Sequence, residues 1–159
     1  MAAYGNNTDQ TLAPNQPTVF TDVLVPCNRG LVRFNPGSTF FVLSGWTPWA
    51  NDGCGCPCCS DNDDAEYSVH VKANIAIPTG GTVGEISMAL SVGGSIVPLS
   101  SMRVTPAAVE EFFNIGVDMP ISIFNGCCQN VSLVNTSTQD ILVSTPLIEI
   151  TRPDLVVTY

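Results

Sequence analysis

The sequence predicts an all-β jelly-roll β-sandwich of about eight to ten strands. Three observations carry this expectation. Apolar and polar residues alternate with a period of two in several segments, as they do when one face of a strand is buried. Gly, Pro and Asn-Gly signals separate those segments at the roughly 8–12 residue spacing of a sandwich or barrel. No helical pattern runs beyond one or two turns, the sole candidate being Pro106 to Phe113.

The elements follow in order. Residues 1 to 18 are rich in Asn, Gln, Thr and Pro and read as a polar arm that orders only against a partner, leaving 19–159 as a single domain. Val19 to Val25, Leu31 to Phe34 and Thr39 to Leu43 are short apolar runs bounded by Pro26, Gly30, Pro36-Gly37 and Gly45. The stretch 46–66 is too polar and too rich in Gly and Pro for a strand, and insertions of that length are usually functional. From Tyr67 to Ile77 the odd positions are apolar while Ser68, His70, Lys72 and Asn74 are polar, which makes this the clearest strand. Ile86, Met88, Leu90 and Val92 repeat the pattern, and Gly93-Gly94 supplies a two-residue hairpin turn into Ser95 to Leu99. Phe113 to Ile123 alternates again, with Pro120 on the opposite phase, where its missing N–H predicts an edge position or a bulge. Asn125-Gly126 ends that strand, and Val131 to Val134 and Ile141 to Ile150 complete the set around the polar turn 135–140.

Composition restricts function. The chain is 159 residues long, 45% apolar and only 12% charged, so its surface is covered mainly by Ser, Thr, Asn, Gln and Gly. Five basic residues, Arg29, Arg33, Lys72, Arg103 and Arg152, stand singly against fourteen acids, for a net charge of −9. No basic stripe for phosphate neutralisation results, so no nucleic-acid partner is expected. No apolar run reaches the roughly 18 residues of a membrane span, and the amino end lacks the pattern of a signal peptide. Synthesis in the cytoplasm, with release by a route such as lysis, is therefore expected, and the Asn-x-Ser/Thr triplets at Asn6, Asn130 and Asn135 carry little weight.

The seven cysteines leave several readings open. Cys54, Cys56, Cys58 and Cys59 lie in the insertion, Cys127 and Cys128 follow the Asn125-Gly126 turn, and Cys27 stands alone. Cys56 and Cys59 have the two-residue spacing that lets thiolates share a zinc ion, though no second such pair exists. Disulfides within the insertion, or between it and Cys127 or Cys128, fit a protein that ends in an oxidising medium. Small buried thiols are the third reading, for Cys27 and one of the Cys127/Cys128 pair. Asp61-Asn62-Asp63-Asp64 reads as a solvated loop tip, since it lacks the Gly and distal Glu of a calcium loop.

Catalysis is not expected and neither is a cofactor. His70 is the only histidine, and no Ser or Cys near it in sequence is arranged as an activated nucleophile. Glu110 and Glu111 are adjacent, so on a strand they face opposite ways. Contact functions remain. Phe40, Phe41, Phe112, Phe113 and Phe124 are candidates for an interface, because adjacent phenyl rings on a strand lie on opposite faces. Trp46 and Trp49, flanking Pro48, suit either packing or a binding shelf.

Tyr67-Ser-Val-His-Val-Lys-Ala-Asn-Ile-Ala-Ile-Pro-Thr-Gly-Gly-Thr-Val-Gly-Glu-Ile-Ser-Met-Ala-Leu, Gly94-Ser-Ile-Val-Pro-Leu and Asn125-Gly-Cys-Cys-Gln-Asn-Val-Ser-Leu-Val-Asn-Thr-Ser extend this reading. These stretches resemble the small tumour-necrosis-factor-like jelly-roll virion proteins of bacteriophages that infect Gram-positive hosts. The resemblance spans roughly residues 65 to 152 and rests on short motifs that turn chemistry largely dictates. It implies a homotrimer and a place in the virion, as a capsid decoration or head protein on the capsid exterior that contacts the major capsid protein or other virion proteins. The same resemblance leaves a receptor- or glycan-binding fibre tip as the alternative. The acidic net charge suits either role, because it limits nonspecific contact with packaged DNA.

Overall fold

The computed structural model describes residues 1–27, 31–45, 64–124 and 126–153, which form twelve strands in two antiparallel sheets. The first sheet runs, in spatial order, β10 (Phe113–Ile123), β6 (Ala65–Ala76), β12 (Ile141–Thr151), β1 (Ala2–Gly5) and β3 (Asp22–Val25), with β2 (Gln10–Leu12) also paired to β12. The second runs β4 (Val32–Arg33), β5 (Phe41–Ser44), β11 (Cys128–Asn135), β7 (Ile86–Val92) and β8 (Ser95–Ile96), with β9 (Met102–Val104) on β7. In chain order the strands change sheet at β3–β4, β5–β6, β6–β7, β9–β10, β10–β11 and β11–β12, as a jelly roll requires. Three short strands that periodicity does not reveal, β1, β2 and β9, take the count past the expected range.

Alternation decides the packing. In β6, Tyr67, Val69, Val71, Ala73 and Ile75 point inward and meet Phe41, Leu43, Met88, Leu90, Val131 and Leu133 from the opposite sheet. Buried groups of this size contribute about 1.5–3 kcal/mol each on removal from water, so the core is the main stabilising term. The Gly93-Gly94 hairpin forms as expected, both glycines at positive φ (60° and 85°) between Val92 and its partner Ser95. Pro120 lies in β10, which pairs only with β6, so the edge position foreseen for it is the one observed. The stretch 106–111 folds as turns, and no α-helix occurs among the described residues.

The expected amino-terminal arm is corrected by the structure. Ala2–Gly5 is a fully buried strand between β12 and β3, and Tyr4 joins Phe20, Phe34 and Phe41 in an aromatic cluster with ring centroids 4.7–5.1 Å apart. The polar residues that suggested solvation instead satisfy backbone groups. Gln10 forms a reciprocal pair with Val19, its Oε1 accepting from the Val19 N–H at 2.9 Å and its Nε2 donating to the Val19 carbonyl at 3.0 Å. Asn6 Nδ2 donates to that same carbonyl at 3.0 Å. Asn135, wholly buried, donates through Nδ2 to the carbonyls of Leu12 (2.9 Å) and Gln139 (3.0 Å) and accepts from the Ser137 N–H (2.8 Å). Residues 1 to 18 are thus part of the sandwich.

Candidate interaction surfaces

Two surfaces concentrate the side chains able to recognise something. The first is the end of the sandwich where the segment 46–63 joins the described structure. Its flanks are Gly45 and Asp64, and both lie beside the β10–β11 connection. The Gly45 N–H donates to the Cys127 carbonyl (2.7 Å), the Cys127 N–H to the Phe124 carbonyl (3.0 Å), and Ser122 Oγ to Asp64 Oδ2 (3.2 Å). A Cβ at position 45 would collide with the Phe124 carbonyl oxygen, so only glycine fits there. Cys127 and Cys128 are exposed free thiols in this structure, and Arg33 Nη2 lies 3.8 Å from Cys128 Sγ. Cys27 is half-buried against the core. Trp46, Trp49, Cys54, Cys56, Cys58 and Cys59 lie outside the described residues, as do Asp61 to Asp63.

Beneath this end, the Tyr67 hydroxyl donates to the Ser44 carbonyl (2.6 Å) and is within 3.1 Å of the Leu31 carbonyl. The Arg152 guanidinium stands 5.4 Å from the centre of its ring. Burial raises the Tyr67 pKa above the ordinary 10.0, partly offset by Arg152; Tyr4 is raised likewise, chiefly by burial. Both phenols are therefore uncharged at neutral pH, and that of Tyr67 is a structural donor. An open groove of about 440 Å³ adjoins on the β4 edge, lined by Val32, Arg33, Phe34, Asn35, Ser38, Phe40 and Val42.

The phenylalanine candidates separate into two groups. Phe40, Phe112 and Phe124 are exposed, Phe124 at 70%, and remain available for contact. Phe41 is corrected to a core residue, since its ring stacks on Phe34 inside the sandwich with none of its surface exposed. Phe113 is half-buried.

The second surface is the outer face of the first sheet, and the sequence did not reveal it. Cross-strand register aligns Asp118 of β10, His70 of β6 and Glu149 of β12 in one row. The next row is Gly116, Lys72 and Leu147, continued by Gly5 of β1. Ser68 Oγ donates to Asp118 Oδ1 (3.0 Å), and an amide ladder runs from Asn114 Nδ2 to Asn74 Oδ1 (3.1 Å) and from Asn74 Nδ2 to Thr145 Oγ1 (3.0 Å). Thr145 occupies a bulge at φ 48°, a left-handed conformation uncommon for a β-branched residue. Register over a long sequence separation creates these rows, which is why no local motif signals them.

Neither surface assembles reacting groups. Glu110 accepts from the Thr79 hydroxyl (2.6 Å), tying two connections together, and Glu111 accepts from the N–H groups of Ala107 and Ala108 (2.8 and 3.2 Å), closing its own turn. Among the described residues no group of three His, Cys, Asp or Glu side chains is placed to hold a metal ion. Nor is any helix among them long and apolar enough to cross a membrane.

No protein-family model matches the chain, and no curated protein sequence matches it. Solved structures do. The globular domain of the zebrafish complement 1qA protein superposes with a TM-score of 0.60 at 11% identity, covering 96% of this chain and 98% of that one. The Eiger tumour necrosis factor from S. frugiperda superposes at 0.58, also at 11% identity, covering 95% and 90%. The fold is a tumour-necrosis-factor-like jelly roll. At such low identity the likeness extends to the fold and not to function.

Proposed function

We propose that this chain is a bacteriophage structural protein, a non-enzymatic homotrimer that decorates the capsid exterior through contacts with the major capsid protein or other virion proteins. The observation that supports it is the tumour-necrosis-factor-like jelly roll, joined to the sequence resemblance of residues 65 to 152 to phage virion proteins of that fold. The surface agrees with an assembly role. It is sparsely charged, it exposes Phe40, Phe112 and Phe124, and its carboxylates at positions 110 and 111 bond to neighbouring loop groups. Docking in this reading uses the exposed faces and not residues 1 to 18, which the sandwich consumes.

One feature favours a second reading, a receptor- or glycan-binding fibre tip. The segment 46–63 contains two tryptophans and four cysteines, and the described residues that flank it, Gly45 and Asp64, bond to the end of β10 and the β10–β11 connection, where Phe124 is exposed. Light scattering after size exclusion, followed by quantitative mass spectrometry of purified particles, tests both. A mass near three times 16.8 kDa together with many copies per particle supports decoration. A few copies per particle, with cell binding lost on Trp46→Ala and Trp49→Ala, supports the fibre. A monomer absent from particles overturns both.

A further inference from the structure

The β4 edge of the second sheet combines three features that one ligand can use together. The first is free backbone. β4 pairs only with β5, and the Ser44 N–H donates to the Leu31 carbonyl at 2.9 Å. By the alternation of an antiparallel ladder, Val32 then turns its own N–H and carbonyl to the open side, where an extended chain can pair with them.

The second is a groove already in shape. The Gly37 N–H donates to the Phe20 carbonyl (2.8 Å) and the Phe20 N–H to the Ser38 carbonyl (3.1 Å), which anchors the turn 35–38 to the sandwich. Ser38 Oγ donates to the Phe40 carbonyl (3.1 Å) and accepts from the Phe40 N–H (3.3 Å), fixing the backbone that carries the exposed Phe40 ring. Phe34 is held by stacking on Phe41, with centroids 4.7 Å apart. Little ordering is left to do when a ligand arrives.

The third is charge. Arg33 is exposed and is the one charged side chain lining the groove. Its guanidinium reaches the Cys128 thiol at 3.8 Å, a weak acceptor, and no carboxylate, since the one ion pair among the described residues joins Arg103 to Glu85. In a chain of net charge −9, such a guanidinium is complementary to an anion brought from outside. A free anion would use Arg33 alone, whereas an extended peptide with a carboxylate side chain uses the edge, the rings and the charge at once.

We propose that the β4 edge binds an extended acidic peptide segment of another protein. The segment adds a strand beside Val32, lays apolar side chains on Phe34 and Phe40, and places an Asp or Glu carboxylate on the Arg33 guanidinium. Such a site serves a decoration subunit and a fibre tip alike, so it does not depend on which of the two the chain is.

The test uses the full chain and a synthetic array of heptapeptides built from alternating Val, Thr and Phe, with Asp, Asn or Lys placed at each position in turn. Fluorescence anisotropy then gives the affinity of the best binder. Wild type is expected to bind an Asp peptide about tenfold or more tightly than its Lys counterpart, and Arg33→Glu to abolish or reverse that preference. Methylating the backbone nitrogens along one edge of the peptide should remove binding, because strand addition needs them. Circular dichroism verifies that the exposed-site variant folds. A preference for Asp that survives in Arg33→Glu, or full binding of the methylated peptide, overturns the proposal. Failure of wild type to bind any peptide of the array also overturns it, and the edge is then covered by a second copy or by another part of this chain.

Discussion

Replacing Asn135 by Ala tests whether buried polar side chains fasten residues 1 to 18 to the sandwich. The amide makes three buried hydrogen bonds, to the carbonyls of Leu12 and Gln139 and from the Ser137 N–H, and the residue has no exposed surface. Alanine leaves two acceptors and one donor without partners in a site too tight for easy hydration. At about 1–3 kcal/mol for each group left unsatisfied, discounted for relaxation, the loss comes to about 3–5 kcal/mol. That is a large share of the roughly 5–15 kcal/mol that holds a domain together. With a urea dependence near 2 kcal/mol per molar, the unfolding midpoint should fall by about 2 M at unchanged slope. Far-ultraviolet circular dichroism during urea titration measures it. Asn135→Asp sharpens the test, because the carboxylate keeps the acceptor for Ser137 but turns a negative charge toward two carbonyls. Its pKa is expected to rise in the folded state, so its deficit should be full near neutrality and shrink as pH falls toward the ordinary aspartate value of about 3.9. A loss below about 0.5 kcal/mol for Asn135→Ala, the range of ordinary surface changes, would refute the reasoning.

Three other predictions follow from the core and the exposed end. Phe41→Ala should cost about 3–5 kcal/mol by opening a cavity in the aromatic cluster, whereas Phe40→Ala one residue away should change monomer stability by less than about 0.5 kcal/mol; denaturation of the two side by side checks this. Tyr67→Phe should cost about 1–3 kcal/mol at pH 7 by leaving the Ser44 carbonyl without its phenol. Because the Tyr67 pKa is raised above 10.0 in the folded state, that contribution is complete below 10.0 and lost as pH climbs through the folded value, so wild type and Tyr67→Phe should converge in alkaline melts. In reduced protein, maleimide should label the exposed Cys127 and Cys128 quickly and the half-buried Cys27 slowly, as timed peptide mapping would show.

The long strands were legible because each buries one face. β6 and β10 carry the period of two along their length, β7 shows it in Ile86, Met88 and Leu90, β12 shows it on either side of the bulge at Thr145, and even the edge position of Pro120 follows from a missing N–H. β1 was not legible for the opposite reason. Ala2-Ala3-Tyr4-Gly5 is covered on both sides, so it has no alternation to read, and its small residues have no hydrophobic contrast with the polar stretch that follows. Composition then misled. Asn6, Gln10 and Asn135 are polar because they complete backbone hydrogen bonds that a short, irregular segment cannot make by itself, and a count of Asn and Gln does not distinguish that use from solvation. Phe41 shows the same limit from the apolar side, since the rule of opposite faces identifies one buried ring in Phe40-Phe41 but not which one.

The Asp118–His70–Glu149 row is invisible to local motifs for a related reason. His70 and Lys72 are visible as the polar phase of a strand, and alone they are a solvated face. Their meaning changes when β10 and β12 place carboxylates on either side of His70, from positions 48 and 79 residues away along the chain. Register, fixed by the buried phase of each strand, determines what the exposed phase presents: a one-residue slip would bury His70 and expose Val69 and Val71. The core therefore specifies the surface. A jelly roll whose inner residues hold three strands in one register presents a defined pattern of charge on the outside, available for recognition without any pocket.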